Sequence, residues 1–278
     1  MKMKLLAIAV ACLSAGTASY AADLYQPEPQ PQPVYDAPEV EVSEASGWYL
    51  RGDLGYNFQK LRGAEYFQGS NGNLVDFTTA SIKDSFSVGG GVGYQVNRYL
   101  RTDLTFDYMA KADFNGSTTG SCGVAVACTS TDVAAMRAYS LMANAYLDLG
   151  SYAYFTPYVG AGVGGSYVKW DKLNNTSCET ADPTNCDPTE EHSGRGSWRF
   201  AYQLMAGASI DVTCNVKADV GYRFRHTLGG DMFGFQNSGG PGYDKGFYSH
   251  GLHAGARYVF GGCEEPVAYE PPQQLVYK

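Results

Sequence analysis

The sequence has no long hydrophobic run after Ala21 and is short of basic residues. No stretch of about 18 consecutive apolar residues follows that point, and mean hydropathy is −0.26, so we expect no transmembrane helix. The 278 residues include 20 Lys and Arg against 28 Asp and Glu. Loss of an N-terminal segment with Lys2 and Lys4 would leave 18 basic residues against 28 acidic ones, a formal charge of −10. This charge disfavours a nucleic-acid partner.

The segment MKMKLLAIAVACLSAGTASYA is typical of a cleaved secretory signal peptide covering residues 1–21. Lysines precede its apolar stretch and small residues end it, so we expect cleavage between Ala21 and Ala22. Cys12 offers the alternative of a lipoprotein, which is disfavoured because Ala9 stands where a bulky leucine is expected. An exported chain without a membrane helix has three destinations: the periplasm, the medium and the outer membrane.

Residues 22–46 are rich in Pro, Gln and Glu and have no period that would bury one face. The composition predicts an extended, disordered linker. An edge strand is disfavoured because proline recurs at nearly every second residue from Pro27 to Pro33.

From Gly47 onward the pattern changes to period two, which is typical of strands whose faces meet different environments. In the first segment Trp48, Leu50 and Leu54 alternate with Arg51 and Asp53. In the fourth and fifth segments the alternation is carried mostly by Ala and Gly, so the pattern defines the register of these strands less sharply. The pattern predicts eight strands, at 47–58, 85–96, 100–108, 133–149, 154–169, 197–212, 216–225 and 247–260.

The predicted connections are alternately short and long. Residues 97–98, 150–153 and 213–215 are short, whereas 59–81, 110–132, 170–196 and 226–246 are long. This asymmetry predicts an all-β fold, an eight-stranded antiparallel up-and-down transmembrane β-barrel with short periplasmic turns and long outer loops. The 34 Gly and 22 Tyr fit a narrow lumen with aromatic girdles. A soluble lipocalin-type barrel, with its apolar face inward, is the alternative, but it explains neither the loop asymmetry nor the final strand.

The final strand, FYSHGLHAGARYVF, resembles the C-terminal recognition strand of bacterial outer-membrane proteins. Together with GWYLRGDLGYNF and TPYVGAGVGGSYV, it makes residues 47–260 similar to the small porin-like, opacity-type surface proteins of alphaproteobacteria. The resemblance implies an eight-stranded barrel inserted by the barrel-assembly machinery. It also implies an assembly signal formed by Leu252, Ala254, Ala256, Tyr258 and Phe260.

The chain departs from that family after Phe260, where it continues as GGCEEPVAYEPPQQLVYK over residues 261–278. The recognition strand is therefore internal. An even number of strands returns the chain to the side where it began. Both Pro-rich tails are then expected in the periplasm.

Six cysteines remain after export, to compartments that permit disulfides. We expect one local disulfide in each of two long loops and a third that clips the C-terminal tail to the periplasmic rim. A zinc site is disfavoured because the cysteines and histidines lack close spacing. The expected pairs are Cys122 with Cys128, Cys178 with Cys186, and Cys214 with Cys263.

Charged residues of nearly balanced sign fall on the face assigned to the lumen. In so narrow an interior they should pair across the barrel and plug it. The alternative is a small ion pathway. The set comprises Arg51, Asp53, Arg101, Asp103, Asp107, Asp148, Asp211, Lys217, Asp219, Arg223 and Arg257.

No residue set predicts catalysis, a metal or a cofactor. Ser249 and His250 could suggest a lipid-modifying barrel enzyme, but adjacent strand residues point to opposite faces. The acidic residues of the third long loop lack the spacing of a calcium-binding loop. They are Asp171, Glu179, Asp182, Asp187, Glu190 and Glu191.

The mature start, Ala22-Asp23, resembles the sequence that transpeptidases join to peptidoglycan in relatives of this family; an ordinary cleavage remnant is the alternative. Expected partners are outer-membrane lipid, lipopolysaccharide, the barrel-assembly machinery and peptidoglycan. The leading interpretation is a structural surface protein whose loops contact host or environment. A narrow channel is the second, and an acyl-modifying enzyme the third. Aromatic girdles are expected at Trp48, Tyr94, Tyr99, Tyr258 and Phe260 on the periplasmic side and at Phe58, Tyr108, Trp198, Phe200, Tyr222 and Phe224 on the outer side.

Overall fold

The computed structural model describes residues 47–69, 72–237 and 239–262. The expectations for the signal peptide and its cleavage at Ala21 and Ala22, for Asp23, for the linker, for Cys263 and for most of the C-terminal tail lie outside these residues. Within the described ranges no helix is long and apolar enough to cross a membrane.

Sixteen strands follow one another through the described part of the chain. They are β1 (Gly47–Leu61), β2 (Ala64–Gln68), β3 (Asn73–Asp76), β4 (Thr79–Ile82), β5 (Ser85–Gln95), β6 (Leu100–Ser117), β7 (Thr119–Gly120), β8 (Cys128–Asp148), β9 (Phe155–Trp170), β10 (Leu173–Glu179), β11 (Glu190–His192), β12 (Gly196–Asp211), β13 (Val216–Thr227), β14 (Gly230–Phe233), β15 (Gly239–Asp244) and β16 (Phe247–Val259).

Eight of these strands close a ring in which every neighbour is antiparallel. The order is β1, β5, β6, β8, β9, β12, β13 and β16, and β16 pairs again with β1 from Tyr49–Val259 to Leu61–Phe247. Closure leaves no strand edge in the ring. The eight predicted strands correspond to these eight, so the predicted fold class is confirmed.

The ring has an apolar outer face and a polar inner face. Leu54 is 68% exposed on the outside, whereas the neighbouring Arg51 and Asp53 are each 7% exposed inside. The lipocalin-type alternative required the opposite orientation and is wrong.

Strand β5 shows why small residues occupy part of the inner face. Gly89, Gly91 and Gly93 face the lumen, where a Cβ atom at Gly93 would overlap the ring of Tyr49 and one at Gly89 would overlap the carboxylate of Asp107. Because the large polar side chains of β1 and β6 fill this space, only glycine fits at these inward positions of β5.

The two ends of the ring differ. Short connections join β5 to β6, β8 to β9 and β12 to β13 at what we call the short-turn end. The other four connections lie at the opposite, long-loop end. They were predicted as loops, but they contain the eight additional strands, which together form what we call the cap.

The cap has two parts. Strands β4, β7, β10 and β11 extend the walls built by β6 and β8. Strands β14, β15, β2 and β3 form a separate antiparallel sheet in that order. Its central pairing joins Ala64 to Asp244 and Glu65 to Tyr243, so the first and last long connections fold against each other.

Candidate functional site: the closed lumen and the cap

The lumen contains a cross-barrel network of ion pairs centred on Arg51. Its guanidinium forms two hydrogen bonds with Asp53, at 2.8 and 2.9 Å, and one with Asp103 at 2.8 Å. Its Nη1 also donates to the hydroxyl of Tyr146 at 2.8 Å. Since all these groups are buried, each charge relies on its partners for solvation.

A second group of ion pairs lies closer to the short-turn end. Arg101 donates to Asp148 at 3.0 Å, and its guanidinium lies 4.3 Å from the ring centre of Tyr146 and 4.5 Å from that of Tyr158. Across the lumen Arg257 donates to Asp219 at 2.6 Å. The stacked arginine and its two rings fill the cross-section of the ring at this level.

A third group lies closer to the long-loop end. Asp107 accepts hydrogen bonds from Arg223 at 3.1 Å and from Arg225 at 2.6 Å. Arg225 also donates to the amide oxygen of Gln203 at 2.9 Å, and Gln203 donates to Asn144 at 2.6 Å. A chain of hydrogen bonds therefore crosses the barrel between strands that are not neighbours.

The structure brings together most of the predicted lumen residues and adds others. Lys217 instead pairs with Asp211 at 2.5 Å near the short-turn end, where both side chains are about one-third exposed. The predicted set of charged residues did not include the neutral members of the network, which occupy inward-facing alternate positions along the strands, as the charged residues do. These are Tyr49, Asn144, Tyr146, Tyr158 and Gln203, together with the charged Arg225.

Beyond the polar network the lumen becomes apolar, which the sequence analysis did not predict. A β-bulge interrupts the pairing of β6 with β8 between Met109 and Ala112. Inward side chains change there from odd to even positions, so Phe114 points inside. The buried cluster comprises Leu61, Ala64, Ile82, Met109, Ala112, Phe114, Ala134, Met136, Ala138, Val168, Trp170, Leu173, Met232, Phe233 and Phe247.

This apolar layer is anchored by one buried carboxylate. Asp244 accepts a hydrogen bond from the indole of Trp170 at 2.9 Å and another from Arg199 at 2.7 Å. Trp170 packs edge-on against Phe114 with ring centres 5.5 Å apart. Between the apolar and polar layers a cavity of about 20 Å³ remains, enough for about one water molecule. The two layers close the lumen.

The cap encloses a larger cavity of about 650 Å³ above the apolar layer. Tyr66, Phe77 and Phe233 provide aromatic walls, and no Lys or Arg is among the described residues that line it. Asp132 lies in its wall and accepts hydrogen bonds from Ser130 and Asn175, both at 2.5 Å. Burial raises the pKa of the Asp132 carboxyl above its usual value, although both donors oppose the shift.

One disulfide lines this cavity, and another lies elsewhere in the cap. Cys122 is bonded to Cys128, and Cys178 is bonded to Cys186. Cys214 is also disulfide-bonded, but its predicted partner Cys263 lies outside the described residues. The two described bridges each close a short loop and restrict the cap locally.

Ser249 and His250 point to opposite faces of β16. The Ser249 hydroxyl donates to Gln59 inside the barrel at 2.6 Å, whereas His250 is bonded to Tyr222 on the outer face at 2.6 Å. They form no nucleophile and base pair. Among the described residues no group of three or more His, Cys, Asp or Glu side chains is arranged to hold a metal ion.

Residues 7–260 match the family described as the outer membrane protein beta-barrel domain. The chain belongs to this family. An uncharacterised protein of Brucella abortus is 36% identical over 278 residues, which cover 88% of this chain and 93% of that protein. The match confirms the predicted outer-membrane barrel and indicates the outer membrane of a Gram-negative cell.

Two further likenesses are more distant. A Rickettsia conorii protein named as a candidate adhesin is 29% identical over 233 residues, covering 79% of this chain and 84% of that protein. The crystal structure of Neisserial surface protein A matches at 18% identity with a TM-score of 0.44, covering 78% of this chain and all of that one. The structural likeness carries no functional argument of its own.

As an outer-membrane barrel, the ring should carry aromatic residues at both interfaces. At the short-turn end Trp48 lies against Tyr94 at 5.3 Å, and Tyr258 lies against Phe260 at 5.2 Å. Further aromatic contacts lie nearer the long-loop end, between Tyr167 and Trp198, Tyr108 and Tyr139, and Phe224 and Tyr248. The residues of the predicted assembly signal are all exposed on the outer face of the ring: Leu252, Ala254, Ala256, Tyr258 and Phe260.

Proposed function

We propose that the protein is a closed surface barrel of the outer membrane that presents its cap to the environment and keeps both termini in the periplasm. The observation that carries this proposal is the contrast between a filled lumen and an elaborated cap. Every layer of the lumen is occupied, while the cap adds a second sheet, two disulfides and a cavity of about 650 Å³. The relative in Rickettsia conorii named as a candidate adhesin supports a surface-contact role.

The alternative of a narrow channel requires a continuous aqueous path. An apolar layer of fifteen buried residues lies across that path in the described structure, and apolar packing of this kind excludes water. We therefore expect the purified full chain to show no single-channel conductance in planar bilayers. Steady, resolvable conductance steps from the folded protein would support the channel instead.

The surface-contact role is tested on bacteria that display the full chain. Protease added to intact cells should cut the cap and reduce attachment to host cells or surfaces. The barrel should remain folded in the membrane, as shown by a heat-modifiability gel, on which boiled and unboiled samples of a folded barrel migrate differently. A matched variant in which Ser replaces both Cys178 and Cys186 should attach less well without losing the barrel. Attachment unchanged after complete removal of the cap would contradict the role.

Catalysis does not form part of the proposed function, because Ser249 and His250 point to opposite faces of β16. Lipid A from cells with and without the protein should give the same mass spectra. A difference of one acyl group or one headgroup substituent would overturn this point.

Attachment of Ala22 to peptidoglycan is a second proposed property. A linker of about 25 residues at about 3.1 Å each would reach roughly 75 Å if it is polyproline-like. This length suits a tether between the barrel and the cell wall. Recovery of Ala22 unmodified from every muramidase-digested cell-wall preparation would contradict it.

A further inference from the structure

The cavity of about 650 Å³ in the cap is lined by residues from both parts of the cap. Its aromatic lining comes from the separate sheet and its connections. Tyr66 lies on β2, Phe233 lies on β14, and Phe77 directly follows β3. The rings are contiguous, with centres 5.2 Å apart for Tyr66 and Phe77 and 6.3 Å apart for Phe77 and Phe233.

The strands that extend the walls of the ring contribute carboxylates instead. Asp132 lies on β8, Glu190 begins β11, and Asp187 lies on the connection before β11. The imidazole of His192 also lines the cavity and donates from Nδ1 to the carbonyl of Gly234 at 3.1 Å. No Lys or Arg lines the cavity in the described ranges of the chain. Its permanent charges are therefore all negative.

Basic side chains of the cap near these strands lie outside the cavity lining. Lys172 pairs with Glu191 at 2.6 Å, and Lys245 pairs with Asp76 at 2.5 Å. Arg195 is exposed and is not a lining residue. None of these three cations offsets the cavity carboxylates by direct contact.

Asp132 is the most deeply buried of the three carboxylates, with 1% of its surface exposed. Ser130 and Asn175 each donate a hydrogen bond to it. Among the described residues, however, no Lys or Arg forms an ion pair with Asp132. A buried carboxylate without a cationic partner is unfavourable. A cation bound in the cavity would supply that partner.

We infer that the cap cavity binds a small organic cation. Its ammonium group lies at Asp132 and Glu190, and its apolar body packs against Tyr66, Phe77 and Phe233. Aromatic rings attract cations as well as apolar groups, and the cavity volume is in the range of small-molecule sites. An anion would meet like charge there, and a neutral ligand would leave the carboxylates without a counter-charge. The inference goes beyond surface contact and does not depend on the direction in which the cap faces.

The test compares three probes that share one apolar body and differ in charge: phenethylammonium, phenethyl alcohol and hydrocinnamate. Isothermal titration calorimetry follows their binding to the folded full chain in neutral maltoside micelles, with empty micelles as the blank. The buffer is at about pH 8, above the usual titration range of histidine. Phenethylammonium should bind about tenfold more tightly than the alcohol, and hydrocinnamate should not bind measurably.

Substitutions separate the role of charge from that of the rings. Glu190→Gln should weaken phenethylammonium about fivefold, and Asp132→Asn about tenfold because its surroundings screen charge less. Neither substitution should change binding of the alcohol. Tyr66→Leu should weaken both probes. The matched control is Glu191→Gln, since Glu191 is the next residue of β11, lies outside the cavity and pairs with Lys172. It should bind both probes like the wild type.

Equal binding of phenethylammonium and the alcohol by the wild type, or binding of no probe, would overturn the inference. A loss in Glu191→Gln as large as that in Glu190→Gln would also overturn it, because the effect would then come from net charge alone. If Glu190→Gln and Asp132→Asn each weakened both probes alike, the carboxylates would only support the cap and the inference would fail. A heat-modifiability gel confirms that the barrel of each variant is folded.

Discussion

Arg101 shows how a single residue closes the lumen near the short-turn end. It is almost fully buried and is held by Asp148 and by two tyrosine rings. Arg101→Ala leaves the Asp148 carboxylate buried without its partner and should lower the free energy of unfolding by about 3 to 5 kcal/mol. Urea titration of the barrel in lipid vesicles measures the loss.

The control for Arg101 is Lys83→Ala, which breaks the exposed pair with Asp113 and should cost less than about 1 kcal/mol. Replacing both partners, as Arg101→Met with Asp148→Asn, should recover much of the stability because no buried charge is left unpaired. Equal losses from the Arg101 and Lys83 single variants would show that the buried pair has no special role.

Asp132 makes the stability of the cap depend on pH. Burial raises its pKa in the folded state, so the folded protein binds this proton more tightly than the unfolded chain does. The stability of the cap should therefore fall as pH rises from about 3.9, the unfolded value, through the raised folded value. Asp132→Asn should flatten that slope. Urea titration that follows the fluorescence of Trp170, in a variant with Phe at positions 48 and 198, measures it.

Asp182 provides the matched control for this pH effect. Hydrogen bonds from Thr184 lower the pKa of the exposed Asp182, so the contribution of Asp182 to stability rises with pH, opposite in sign to that of Asp132. Asp182→Asn should therefore leave the decline of stability with rising pH in place. If Asp132→Asn kept the full decline with pH, the buried carboxyl would not be its source.

At the scale of the strand, the bulge in β6 decides which side chains fill the upper lumen. Deleting Ala110 removes the extra residue, so Met109 and Ala112 become alternate positions and the residues that follow keep their faces. Phe114 should then stay inside, and acrylamide should quench Trp170 no more strongly than in the wild type. Deleting Asp113 instead keeps the bulge but moves Phe114 to an outward position, so acrylamide should quench Trp170 more strongly. Equal protection of Trp170 in the two deletion variants would show that the cap does not depend on the alternation that the bulge resets.

The strands themselves could be predicted because alternation is a local property of the sequence. Predicted strand 216–225 and observed β13 (Val216–Thr227) differ by two residues. The third predicted strand ended at Tyr108, whereas β6 continues to Ser117. The bulge after Met109 shifts the alternation of inward and outward residues by one position. A prediction based on strict alternation therefore ends the strand at that point.

The cap could not be predicted for a different reason. Its second sheet pairs β2 with β15, residues that are more than 170 positions apart in the chain, as in the pair Glu65 and Tyr243. Both segments are short, and β15 contains consecutive glycines and a proline that weaken any strand signal. The cavity that these strands help to enclose was therefore also missed.

For the whole molecule, the cap and the ring should respond separately to reduction. The bonds Cys122–Cys128 and Cys178–Cys186 each close a loop of a few residues, worth about 2 kcal/mol in chain entropy. Dithiothreitol should speed proteolysis of the cap. The ring should stay folded, so that its unboiled sample still migrates differently on a gel from its boiled sample. Loss of the heat-modifiable band after reduction would mean that the bridges support the entire fold.

The central claim is that the apolar face of the ring meets lipid while the lumen is filled, and the three tryptophans report on it directly. Trp48 is 59% exposed and Trp198 66% exposed on the outer face, whereas Trp170 is 1% exposed inside. The measurement is fluorescence quenching by brominated lipids in three variants that each keep one tryptophan and have Phe at the other two positions. The account predicts strong quenching of Trp48 and Trp198 and almost none of Trp170. Quenching of Trp170 with Trp48 and Trp198 unaffected would contradict it.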